Sequence, residues 1–170
     1  MSDGIDIRIE LKENVAEALQ RGIAAGLDLT PAMKEIAVHL SASTKLRFET
    51  ERGPDGKPWK PARRVQESGG QTLTLSGDLR GSIREDWGPD FAAAGPERSG
   101  GAAIYAKIHQ WGGTIVPKVK KALSFAGKLF ARIVMPARPY LGFEPDDPEI
   151  IAEIVEDHLG RAFRGAGVPS

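Results

Sequence analysis

Apolar and polar residues alternate without a break over 5–11 (IDIRIEL), with Ile5, Ile7, Ile9 and Leu11 on one face and Asp6, Arg8 and Glu10 on the other. A period of two predicts a half-buried strand. The period then lengthens. Val15, Ala18, Leu19 and Ile23 keep helical spacing behind Asn14, a capping residue, and Gly26 stands near the end of that helix. Thr30-Pro31 reads as an N-cap followed by proline at the first helical position, where the missing N–H costs nothing. Met33, Ile36, Ala37, Leu40, Thr44 and Phe48 carry this helix for about 20 residues, to a stop before Gly53-Pro54.

Glycine and proline recur through 53–72, which predicts a long loop. Loops of that length in compact domains are functional or disordered. Trp59 in its middle is expected to dock on the body or on a partner, and the loop is expected to order only in an assembled particle. TLTLSGDLRGSI (72–83) reads as a turn and a short helical piece leading into a strand that ends at Trp87. Phe91 to Gly95 is the next strand candidate. Over 103–111, Ile104, Ile108 and Trp111, with Tyr105, predict a short amphipathic helix, and Gly112 stands where a C-cap glycine belongs.

Two apolar runs around a glycine-containing turn predict a β-hairpin over 114–135. Asp147-Pro148 opens a last helix as a second cap-and-proline pair. Its stripe is Ile151, Ile154, Val155, Leu159 and Phe163, and 165–170 is expected to fray. The order of elements predicts one α+β domain over 1–170, an antiparallel sheet with a long β-hairpin packed against N-terminal and C-terminal helices.

Charge changes this picture more than composition does. The net charge is zero, yet no acidic residue lies between Arg98 and Phe143, where the cations Lys107, Lys118, Lys120, Lys121, Lys128, Arg132 and Arg138 fall. From Glu144 onward acids dominate: Glu144, Asp146, Asp147, Glu149, Glu153, Glu156 and Asp157 against Arg161 and Arg164. Such asymmetry suggests internal pairing or a self-complementary interface. Met1 is followed by Ser-Asp-Gly rather than a basic and then apolar run, so no secretory signal is expected. No apolar run approaches the roughly 20 residues of a membrane span, so no membrane partner is expected.

The chemistry is mostly exclusion. The chain has no cysteine, which removes disulfides, thiolate nucleophiles and cysteine zinc sites. His39, His109 and His158 lie far apart, and neither a zinc motif nor a nucleophile elbow, P-loop or dinucleotide fingerprint is present. The acid-free surroundings of His109 allow a catalytic partner only from elsewhere in the fold. Lys118, Lys120, Lys121 and Lys128 could meet phosphates, so a nucleic-acid-binding module using the basic 118–138 hairpin is the alternative reading. No aromatic residue alternates with them as in RNA-binding strands.

PDGKPWKP (54–61), LSGDLRGSI (75–83), YAKIHQWGG (105–113) and MPARPYLGF (135–143), in this order, resemble the phage virion morphogenesis family, which includes tail completion proteins of Mu-like and P2-like phages and prophages. The resemblance implies a non-enzymatic structural protein, without cofactor or metal, that completes or terminates the tail and joins it to the head. It implies a homo-oligomeric ring, a hexamer by analogy, with other neck, connector or tail proteins as partners; the basic residues are compatible with weak contact with passing DNA. The implied location is the bacterial host cytoplasm during assembly, then the neck or tail end of the virion.

The motif residues Tyr105, His109, Gln110, Trp111, Gly112, Gly113, Pro136, Arg138 and Pro139 are expected to build a corner that sets the hairpin's angle, with His109 and Gln110 bonding backbone there. Because a ring joins two different patches, the hairpin of one subunit is expected to meet the acidic helix of the next. The interface residues are then Trp59, Lys118, Lys120, Lys121, Lys128, Arg132, Arg138, Glu149 and Glu153.

Overall fold

The computed structural model describes residues 13–97, 101–117, 123–125 and 128–165, so the strand expected over 5–11 lies outside the described residues. The fold is α+β. Helix α1 (Glu13–Ala24) leads to α2 (Thr30–Thr50), followed by α3 (Arg63–Ser68) and α4 (Asp78–Gly81). Strands β1 (Ile83–Trp87) and β2 (Ala92–Pro96) form an antiparallel pair with Ile83 opposite Pro96 and Trp87 opposite Ala92. After α5 (Gly101–Trp111) come β3 (Gly113–Ile115), β4 (Leu123–Phe125), β5 (Lys128–Phe130) and β6 (Ile133–Met135), and α6 (Asp147–Gly165) closes the described chain. The long hairpin is two nested ladders, β3 against β6 outside and β4 against β5 inside.

Helix α2 is the axis. It packs against β1, β2 and α6, so apolar and small residues bury more than one of its sides. Leu29, Met33 and Ile36 meet Ile151, Val155 and Leu159 of α6 in one apolar cluster. Farther along, Phe48 enters a second cluster with Trp59, Leu79, Ile83, Ala106, Tyr140 and Leu141. The α6 stripe behaves as its spacing predicts. In α1, Ala18 and Leu19 pack on the first cluster, but Ile23 is exposed. Gly22 takes the buried position instead, because a Cβ there would stand 2.7 Å from a methyl of Leu159. A side chain there would have to displace the Leu159 methyl.

The acidic start of α6 is bound to α2 by a polar seam that sequence reading missed. Glu35, His39, Ser43 and Arg47 recur every fourth residue, which puts them on one side of the helix. His158 Nε2 lies 2.8 Å from Glu35, and His39 Nε2 lies 2.7 Å from the buried Asp147. Ser43 and Arg47 donate to Glu144 at 3.0 and 3.1 Å, and Arg47 also donates to the Tyr140 carbonyl at 3.0 Å. Asp147 is thus not a forward-bonding cap: its second oxygen accepts the Glu144 N–H at 2.6 Å.

Segment 53–72 is corrected in two respects. It contains α3, and Trp59 and Thr72 bond within the single chain. Glu51 ends α2 in the left-handed region, at φ 54°, held there by the Trp59 N–H on its carbonyl (2.8 Å) and the Thr72 N–H on its carboxylate (2.6 Å). That turn brings Trp59 edge-on to Phe48, with centroids 5.6 Å apart, and Tyr140 lies on Phe48 at 5.4 Å. Trp59 is 5% exposed and belongs to this chain's core rather than to a partner surface.

Phe48 is fully buried where the helix, the loop and the 140–141 segment meet. Phe48→Ala is expected to cost about 3–5 kcal/mol in urea unfolding, a large aromatic deletion in a packed site. Trp111→Ala, at a position 61% exposed, should change stability by no more than about 0.5 kcal/mol.

Candidate functional site

Helix α5 ends at Gly112, whose φ of 70° and N–H bonded to the Ile108 carbonyl at 2.9 Å form a left-handed cap. A Cβ at Gly112 would stand 2.7 Å from the Ala137 nitrogen and 2.9 Å from the Met135 oxygen. Glycine therefore serves both the turn and the close approach of the chain leaving β6.

Two residues earlier, Gln110 is 2% exposed. Its Oε1 accepts the N–H groups of Tyr140 and Leu141 at 3.1 and 3.0 Å, and its Nε2 donates to the Leu141 carbonyl at 2.8 Å. The side-chain amide substitutes for a neighbouring strand, satisfying buried backbone that no ladder reaches. Arg138, 4% exposed, donates its backbone N–H to the His109 carbonyl and its Nε to the Lys60 carbonyl, both at 2.7 Å. Trp59 Nε1 donates to the Pro139 carbonyl at 2.9 Å. The Tyr140 hydroxyl donates to the Ala106 carbonyl at 3.3 Å, and burial raises its pKa above the ordinary phenol value.

His109 differs from expectation. Its carbonyl is bonded, but Nδ1 is buried without a hydrogen-bond partner. The ring lies edge-on to Tyr105 with centroids 5.7 Å apart. Burial first, and the Arg138 charge second, hold its pKa below the usual 6.5. The charge acting on it is a cation rather than a carboxylate, which does not suit a general base. Trp111 also differs. Among the α5 residues with described side chains, Ala106 and Gln110, one turn apart, are buried, and Trp111 lies about 100° around the helix from Gln110, facing solvent.

The four motif blocks therefore converge. Trp59 and Lys60, Leu79 and Ile83, Ala106 and Gln110, and Arg138 to Leu141 all belong to one cluster or its hydrogen bonds. A model of the phage virion morphogenesis family matches residues 11–160. The chain belongs to this family. Among relatives, it is 36% identical over 141 residues to capsid assembly protein G of Escherichia phage Mu, covering 76% of this chain and 78% of that protein. It is 28% identical over 156 residues to Mu-like prophage FluMu G protein 2 of Haemophilus influenzae, covering 91% and 96%. No solved structure matches.

This virion morphogenesis protein presents the expected interface residues unevenly. Lys118, Lys120 and Lys121 lie outside the described residues, and Lys128 opens β5. Arg132 is exposed; Arg138 is buried, so it holds the corner and is not available to a partner or to phosphate. Glu149 and Glu153 are exposed on α6, whereas Glu144 and Asp147 are engaged by α2. Sequence reading missed the apolar exposure of the hairpin: Val116 is 57% exposed, Leu129 75% and Val134 66%. The two apolar runs there predict strands without saying which face is covered. Among the described residues no group of three His, Asp or Glu side chains could hold a metal, and no helix is long and apolar enough to cross a membrane.

Two outcomes follow from the corner. Gln110→Leu strands the Tyr140 and Leu141 backbone groups, at about 1–3 kcal/mol each, and should lower the urea midpoint accordingly. His109 is held neutral in the fold, so its contribution is complete above pH 6.5 and falls as the pH drops below that value. Between pH 7.5 and 5 the native protein should lose more thermal stability than His109→Gln; equal losses would refute this.

Proposed function

We propose that this protein is a structural component of the phage head–tail junction that completes the tail and joins it to the head as a ring, without enzymatic activity. The family supports a virion structural role, and the phage Mu relative is named for capsid assembly, which suits a ring that touches the head. One observation carries the reading. The bonded motif residues Gln110 and Arg138 are buried: they hold the base of a hairpin on which Leu129 and Val134 stay exposed. Exposed apolar side chains on an arm held at a set angle suit contact with another protein.

The ring is a heterologous contact, which joins two different patches and closes by rotation. The cation-rich hairpin and the acidic outer side of α6 are such patches, opposite in charge and distant in sequence. Six copies follow from the resemblance to ring-forming tail completion proteins. Because Arg138 is buried, Lys118, Lys120, Lys121, Lys128 and Arg132 carry the basic side of the contact.

Electron microscopy of particles produced without this chain is expected to show separate filled heads and tails. Malformed heads would instead indicate a capsid role, and tails of abnormal length a terminator that does not join. Replacing Lys118, Lys120 and Lys121 together by glutamate should weaken ring assembly at low salt. Unchanged oligomer size in light scattering and in assembled particles would remove the charge pairing.

A further inference from the structure

Where α1 crosses α6, a cleft of about 430 Å³ opens on the surface, lined by Ala18, Arg21, Glu156, Leu159 and Phe163. Its floor is apolar, from Ala18, Leu159 and Phe163, and Arg21 and Glu156 provide its polar groups. Next to the cleft, Gly22 leaves room for the Leu159 methyl against α1. The cleft plays no part in the corner that carries the family motifs.

The hairpin presents apolar and cationic side chains that complement these groups. Leu129 is three-quarters exposed and Val134 two-thirds exposed, so neither fills a cleft of its own chain. Arg132 lies between them in sequence and is exposed. Glu156 lines the cleft and is exposed, with Glu153 exposed one turn earlier on α6, while Asp157 pairs with Arg161 at 3.0 Å.

We infer that the α1–α6 cleft is the seat for the 129–134 arm of a second copy of this chain, with Leu129 on the apolar floor and Arg132 against Glu156. The inference rests on the ring reading and adds its point of contact. Cleft and arm are different surfaces, so each copy offers both, and contact propagates from one copy to the next until rotation closes it. Burial of Leu129 supplies the attraction, and the Arg132–Glu156 pair selects the register.

The chain has no cysteine, so introduced thiols report this contact alone. Particles carrying Ala18→Cys and Leu129→Cys together are expected, on oxidation, to give a ladder of multimers that collapses on reduction, whereas either single variant gives none. Particles that hold a closed ring of this chain in electron microscopy but give no ladder overturn the seat and leave the ring standing. Particles with a single copy overturn both.

A second measurement does not depend on disulfide geometry. Glu156→Lys should weaken association by about tenfold or more, and adding Arg132→Glu should restore it. Loss without restoration, or no loss, overturns the pairing. Thermal unfolding of each variant distinguishes a lost contact from a lost fold.

Discussion

The buried amide of Gln110 is the interaction on which the rest of the molecule depends. After β6 the chain must cross the end of α5 and enter the core at Tyr140 without a strand beside it. Backbone N–H and C=O groups buried without partners are costly, and a loop has no ladder to satisfy them. One side chain with two acceptor positions and a donor supplies those partners across Tyr140 and Leu141. With that crossing held, Tyr140 can pack on Phe48, Pro139 can accept from Trp59, and Arg138 can reach Lys60.

The same crossing bears on the base of the hairpin and on the entry to α6. The Arg138 N–H on the His109 carbonyl and the glycine cap at Gly112 fix where β3 departs and β6 returns. On the other side, the Tyr140 carbonyl accepts from Arg47, which also binds Glu144, so the entry to α6 is tied to α2. Corner and seam therefore share residues 140–144. A change at one is felt at the other, because well-packed interiors transmit displacement rather than absorb it.

The seam also divides the acids of the C-terminal region into two groups with different work. Glu144 and Asp147 are engaged inward by Arg47, Ser43 and His39, and a buried carboxylate such as Asp147 is tolerable only because each of its oxygens has a partner. Glu153 and Glu156 face outward, and Asp157 pairs with Arg161 on the same helix. The charge asymmetry along the chain is thus internal pairing at one end of α6 and an open acidic face farther along.

Much of the architecture is legible in one dimension because it follows from local periods and punctuation. The stripes of α2 and α6, the glycine that stops α5, the β1–β2 pair and the antiparallel hairpin each declare themselves within a few residues, and four short motifs in order indicate the family. What one dimension leaves open is which side of each element meets the rest. Trp111 and Ile23 fit apolar spacings yet are exposed, since Gln110 and Gly22 take the buried positions for hydrogen bonding and close approach. Trp59 and Arg138 look like surface contacts and are core, because their partners stand about 80 residues away. The four-residue ladder of α2 is visible in sequence, but its complement on 144–158 is not, since pairing between distant segments is set only when the chain folds.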